Sequence, residues 1–291
     1  MKTFVIAVLM LFAVVTSAQN ISYKLEELTA PEFIQAVSKS SETCILPIGV
    51  FEKHGAHLPL GTDLYIAREL ALRAAEKEYT VVFPWYYFSQ INEARQQPGT
   101  IAYSPEIIWN VFQETLDELN RNGFKKIIIV NGHGGNSAFL NYFGMAQLSK
   151  RRDYALYWFQ PTYDPEVMKK AVALTQHDPY DQHGGNRETS LMMAIVPDLV
   201  YPDRAGQQSG VDLNRMKHLP NIYSGIWWYA RYPNHYSGDG SKSNAQAGEL
   251  ILNHLVDQLV QTIKNVKNDT TVPALQQQFF DEAENPLNTK Q

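Results

Sequence analysis

The sequence predicts an α/β fold with a mostly parallel central sheet covered by helices, and three observations carry that expectation. Short apolar runs of strand length alternate with helix-period segments through the first two thirds of the chain. Strands spaced by helices pair in parallel, because each crossover helix returns the chain to the same sheet edge and covers a face. The two best strand candidates, at 43–51 and 126–130, run straight into polar, glycine-containing sequence. In open parallel sheets, ligands bind beyond those carboxyl ends.

The elements follow in order. Residues 43–51 are short, apolar and closed by polar residues, as a buried strand requires. A helix is expected over 62–78, with Thr62 as its cap. A second strand follows at 80–88. SPEIIWNVFQETLDELNRNG reads as a helix capped by Ser104, opened by Pro105 and stopped by Gly123. KIIIV at 126–130 is the clearest strand, and it leads into NGHGGN. A helix over 136–152, a strand over 154–159 and helices over 165–176 and 187–196 come next. Residues 198–243 lack periodicity, and a long helix spans 246–266. After Asn268 the chain turns polar and is expected to end as a tail, 269–291. No solenoid repeat or linker is visible, so 19–268 is read as one domain. The tetrapeptide HGGN occurs at 133–136 and 183–186, but in unlike surroundings.

Composition narrows the class. The 291 residues are 44% hydrophobic and 19% charged, an ordinary globular balance. A net charge of −5 argues against an electrostatic nucleic-acid binder. The single basic cluster, Lys150 to Arg152, falls where a helix C-terminus favours it. Residues 1–18 form a leader of their own: Lys2, an unbroken apolar run over 4–15, then small residues for cleavage. That run is too short to span a membrane comfortably, so the expectation is an exported protein, periplasmic or secreted, with no membrane span after cleavage. A buried N-terminal helix is the plainer alternative. One cysteine, Cys44, cannot form an internal disulfide, and its apolar neighbours mark it as a small buried hydrophobe.

The chemistry concentrates in VFEKHGAHLPLGTD, at 50–63. In an extended segment Glu52 and His54 point to one side and Lys53 to the other. Asp63 opens the next helix, where the helix dipole keeps a carboxylate ionised. His133, after the neighbouring strand, can join them. Mixed carboxylate and imidazole donors suit Zn, Mn, Fe or Co better than Ca or Mg. The glycines around His133 let backbone approach closely and expose N–H groups to an oxyanion. Each residue has a plainer reading as well. Asp63 and Glu188 are also ordinary helix-start acids, and His57 is structural or supports a ligand. His177, His218, His235 and His254 read as surface or packing residues. GHGGNS lacks the Lys-Ser/Thr ending of a P-loop, and no G-x-S-x-G elbow occurs.

Four ordered blocks resemble the creatininase family: LPIGVFEKHGAHLPLGTD, IIIVNGHGGN, HGGNRETSLM and, more loosely, NAQAGELIL. They span most of the chain, from Ile45 to Val260. The resemblance implies a three-layer α/β/α sandwich, a site for two divalent metal ions (Zn, Mn or Fe), and hydrolysis of a carbon–nitrogen bond in a small cyclic or linear amide. It also implies a homo-oligomer, commonly a hexamer. Carried over, Glu52, Asp63 and His133 hold one ion, and Asp63 bridges to a second held by His54. Creatininases proper add a glutamate at the position of Gly135, so Glu188 is the residue expected to serve the second ion or its water. His183 matches the family's proton-shuttling histidine. Gly134, Gly135 and Asn136 are the expected oxyanion and substrate contacts. A water between two cations is nucleophilic near neutral pH, and His183 then protonates the leaving nitrogen.

Three departures concern the substrate. Gly134 replaces a tyrosine, the run ending at His183 reads PYDQH, and EARQQPGT lacks the histidine of many relatives. Aromatic clusters at 85–88 and 223–236 suit a pocket wall or a subunit interface. The leading expectation is an exported metal-dependent amidohydrolase. A true creatininase, a non-catalytic periplasmic metal- or ligand-binding protein and an exported structural subunit are the alternatives.

Overall fold

A computed structural model describes residues 21–175 and 181–289; the leader at 1–18 and His177 lie outside the described residues. Helix α1 (Ala30–Lys39) precedes strand β1 (Thr43–Ile48), helix α2 (Thr62–Lys77) and the short strand β2 (Val81–Val82). Then come α3 (Pro105–Arg121), β3 (Lys126–Asn131), α4 (Asn136–Ala146), β4 (Ala155–Trp158) and α5 (Pro165–Thr175). After residue 180 the chain forms α6 (Asn186–Ile195), α7 (Trp227–Arg231), α8 (Ala245–Asn268) and α9 (Thr271–Ala283).

The sheet order is β2-β1-β3-β4, and every pairing is parallel. Side-chain alternation along β3 divides the core in two. Ile128 and Val130 face a cluster with Ala67 and Ala71 of α2, Ala171 of α5, Leu191 of α6 and Ile251 of α8. Ile127 and Ile129 face the other side, against Ala36 of α1, Phe112 and Leu116 of α3, and Phe143 of α4. This is the three-layer sandwich expected. Ile127 and Ile128 are fully buried, and each such side chain contributes about 1.5–3 kcal/mol relative to exposure. Cys44 belongs to the second cluster, and burial pushes its thiol pKa well above the usual value.

Several boundaries differ from the sequence reading. The expected second strand shrinks to Val81–Val82, with Tyr86 making an isolated bridge to Ile48. Thr62 is the first helical residue rather than the cap, and its hydroxyl donates to the Pro59 carbonyl at 2.8 Å. The expected tail is corrected more substantially, since α9 occupies most of it. Phe280 is buried there under the Arg151 guanidinium, and Gln276 donates to the carbonyls of Arg152 and Tyr154. One aromatic anchor and a cap on the chain entering β4 are enough to dock a helix whose sequence looks polar.

Candidate metal centre

The site forms where the ends of β1 and β3 meet the start of α2. Beyond β1 the chain stays unpaired in the sheet, and the Glu52 N–H donates to the Leu60 carbonyl at 3.0 Å, closing the loop that carries the two ligand-type residues. Glu52 and His54 do turn to the same side, with Glu52 Oε1 3.8 Å from His54 Nε2. Lys53 turns away and donates to Gln97 Oε1 at 3.0 Å. Gly132, at the end of β3, lets α2 approach: a Cβ there would lie 2.3 Å from the Asp63 carbonyl oxygen. Any side chain at 132 would push Asp63 away from His133.

Asp63 lies between the two imidazoles. Its Oδ1 is 3.0 Å from His54 Nε2, and its Oδ2 is 3.3 Å from His133 Nδ1. Glu52 Oε1 is 2.7 Å from the same Nδ1. Both Glu52 Oε1 and Asp63 Oδ2 are buried yet take part in no hydrogen bond among the described residues. Short separations without hydrogen-bond alignment, around oxygens that would otherwise be costly to bury, are what a cation needs from its donors. Glu52, Asp63 and His133 thus fit one divalent ion, their donor atoms all within 4.8 Å of one another.

A second group, Glu52, His54 and His183, meets the same distance limit. Glu188 Oε2 lies 3.8 Å from His54 Nε2 and accepts the Gly184 N–H at 2.6 Å. Around His54 the structure therefore gathers Asp63, Glu188 and His183, one more donor than expected for a second ion. His54 Nδ1 faces the Glu52 carbonyl at 3.3 Å, which leaves Nε2 as the ligating nitrogen.

The electrostatics agree with this crowding. Burial raises the Glu52 carboxyl above its ordinary range, with His133 and His183 pulling it back. Burial acts the same way on Asp63, but His54 and His133 outweigh it and hold that carboxyl far below normal. Burial lowers His54, yet the charge and hydrogen bond of Asp63 prevail and raise it to about 9. His133 is likewise raised well above its usual value by Glu52 and Asp63 against burial. These protons sit where divalent cations would replace them.

His183 occupies the cavity wall with its ring centroid 4.2 Å from that of His54. Its Nε2 donates to the Lys53 carbonyl at 2.8 Å, so Nδ1 is the free nitrogen. Burial, then the neighbouring His54, push its pKa down to about 4, leaving a neutral imidazole at pH 7. Gly134 and Gly135 line the cavity, which holds about 410 Å³. Asn136 does not line it, which corrects the expected substrate contact. Its N–H donates to the His133 carbonyl, and its side chain joins Asn131 and the Gln90 N–H. Asn136 closes the turn instead. His57 supports the site, facing Thr189 Oγ1 at 2.8 Å through its Nε2.

Two residues escaped the sequence reading. His235, expected as a packing residue, is 1% exposed and contacts Glu52 Oε2 through Nε2. It sits in an aperiodic stretch and is delivered by paired hydrogen bonds between His183 and Ser237, at 3.1 and 2.8 Å. No local pattern announces that pairing. Its φ of 52° is unusual for a residue with a side chain. Glu93, on a turn at Asn92–Ala94, brings Oε1 to 3.5 Å from His133 Nε2. Of the aromatic clusters, Trp227 and Trp228 wall the cavity, whereas Tyr223 and Trp85 are exposed.

A parallel α/β sandwich with buried carboxylate–imidazole clusters beyond its strand ends defines a metal-dependent hydrolase class. The family model for creatininase, "creatinine amidohydrolase", matches residues 26–263, and the chain belongs to that family of hydrolases acting on C–N amide bonds. It is 26% identical over 256 residues to a creatinine amidohydrolase of Pseudomonas putida, covering 82% of this chain and 95% of that one. It is 28% identical over 234 residues to a mycofactocin precursor peptide peptidase of Mycolicibacterium smegmatis, covering 77% and 85%. A crystal structure of a creatininase superposes with TM-score 0.72 at 24% identity, covering 86% of this chain and 99% of the other. Solved creatininases of the same fold include an Mn form and a Zn–Zn form.

Proposed function

We propose that this chain is an exported, metal-dependent amidohydrolase that cleaves the C–N bond of a small amide bearing an anionic group. The observation that carries the metal reading is the pair of buried, unpartnered oxygens, Glu52 Oε1 and Asp63 Oδ2, turned toward His133 Nδ1. Glu52, Asp63 and His133 would hold one ion, and His54 with Asp63 and Glu188 the other. When bound, such ions supply Lewis acidity toward a carbonyl oxygen and a water acidic enough to ionise near neutral pH.

The chain's own residues supply the rest. Neutral His183, with Nδ1 free, takes a proton from the attacking water and returns it to the leaving nitrogen. The backbone at Gly134 and Gly135 borders the cavity where an oxyanion would form. Trp227 and Trp228 wall that space. Arg187 also lines the cavity. Its guanidinium lies over Tyr163, 5.2 Å from the ring centroid, with Glu188 Oε1 3.7 Å away, and it makes no hydrogen bond among the described residues. A guanidinium so placed suits a carboxylate on the substrate.

Metal analysis of the purified protein, followed by assay against creatinine, lactams, formamides and short peptides, tests this reading. About two ions per chain with hydrolysis of any of these supports the metal-dependent amidohydrolase. Preference for carboxylate-bearing members supports the anionic group, and creatinine turnover would make the chain a creatininase and deny that preference. Metal without hydrolysis across the panel favours a binding protein. No metal after reconstitution overturns it. Export through residues 1–18 and assembly into a homo-oligomer belong to the same proposal. N-terminal sequencing of the protein made in its host and light scattering test them.

A further inference from the structure

Glu93 comes from a different part of the chain than any ligand-type residue, the loop between β2 and α3. Its carboxylate lines the metal cavity, and its side chain is 20% exposed. Oε2 accepts from Gln90 Nε2 at 2.8 Å, which fixes the group's orientation. Oε1 then faces His133 Nε2 at 3.5 Å, just outside a good hydrogen bond.

His133 has a specific need that this carboxylate meets. Its Nδ1 is turned toward Glu52 Oε1 and Asp63 Oδ2, so ligation from that side requires the lone pair on Nδ1. The remaining proton must then sit on Nε2. That nitrogen is buried and makes no hydrogen bond among the described residues. Glu93 is the carboxylate facing it, and a small ring or side-chain rotation closes the contact.

Gly135 supplies an independent observation. A Cβ at that position would lie 2.1 Å from Glu93 Oε1 and 2.4 Å from His133 Nε2. The second glycine of HGGN therefore leaves the space in which the carboxylate and the imidazole meet.

We propose that Glu93 is a positioning residue that holds His133 with Nδ1 free for a divalent cation, and that Gly135 is glycine to admit it. The inference rests on the metal reading of Glu52, Asp63 and His133. Carboxylates in this place orient the ring and raise its basicity as a ligand. Glu93 is not itself a ligand in this account.

The test is Mn²⁺ titration of the metal-stripped full-length protein, with free Mn²⁺ followed by electron paramagnetic resonance. Wild type, E93A, E93Q and G135A are compared, with circular dichroism checking that each folds. E93A is expected to weaken Mn²⁺ binding by about 10- to 100-fold. E93Q keeps an acceptor for the Nε2 proton and should recover most of the loss, while G135A should resemble E93A. Histidine ¹⁵N NMR of the Zn²⁺-loaded protein should show His133 protonated on Nε2 in wild type. E93A binding Mn²⁺ within twofold of wild type overturns the proposal and leaves the metal site standing. E93Q losing as much as E93A also overturns it, because an acceptor for the Nε2 proton would then be in place without effect. Wild type binding no Mn²⁺ overturns the metal site and this proposal together.

Discussion

Trp228 Nε1 donates to His235 Nδ1 at 2.8 Å, and this bond decides which nitrogen of His235 carries the ring proton. Burial and the nearby His54 lower the His235 pKa to about 3, so the ring is neutral. Its proton therefore sits on Nε2 and is donated to Glu52 Oε2. Glu52 is held by one oxygen and offers the other, Oε1, toward His133. A tryptophan from α7 thus orients a carboxylate beyond β1 through His235.

That relay is testable at its far end. Trp228→Phe keeps the ring but removes the donor, freeing His235 to change tautomer. Metal affinity should fall by about tenfold, in the range for groups that orient ligands. Calorimetric Zn²⁺ binding unchanged by this substitution would show that the relay does not act on Glu52.

Asp63 has an oxygen toward each imidazole, at 3.0 Å from His54 and 3.3 Å from His133. Asp63→Ala should therefore empty both positions rather than one. Elemental analysis should find less than a tenth of the wild-type metal. One ion retained per chain would assign the bridging to another group.

His183 is expected to separate binding from turnover. His183→Ala should keep at least one ion at Glu52, Asp63 and His133. It should lower kcat by about 10²- to 10⁴-fold, the usual span for a proton-transfer group. Unchanged kcat on a substrate from the panel would remove it from the mechanism.

Arg187 should act on affinity for one substrate class. For an N-formyl or N-acyl amino acid, Arg187→Gln should raise KM by about tenfold or more, consistent with about 1.5–3 kcal/mol for a charged hydrogen bond. The matching neutral methylamide should be unaffected. An equal change for both would deny the carboxylate contact.

Alkaline stability should carry a signature of Tyr154. Burial pushes its pKa up to about 12, reinforced by the charge of Asp117 and opposed by Gln113 and Arg152. The folded pKa exceeds the unfolded value of about 10, so its contribution is complete below pH 10. That contribution is lost as pH rises from 10 through 12. Urea unfolding of Tyr154→Phe should show a weaker decline across this window. An identical decline would locate the alkaline loss elsewhere.

Strand and helix periodicity, together with the order of ligand-type residues around two glycine-bounded turns, determined the layer architecture and the core of the site. Glu52, His54, Asp63 and His133 were legible because each lies within a few residues of a strand end or a helix start, where local geometry sets direction. Asn136 was misplaced for the same reason: its neighbours suggested an oxyanion turn, but its hydrogen bonds close the loop. Only the tertiary structure brought in Glu93 and His235 and set Trp228 against the latter. They come from loops and a short helix whose positions depend on long-range contacts, such as the His183–Ser237 pairing. The helix at 271–283 also took shape only through docking, because a polar segment gains its helix from the surface it covers. Local pattern can state which donor-type groups gather at the strand ends. The groups that hold them in place are separated by the whole fold, and packing alone decides where they meet.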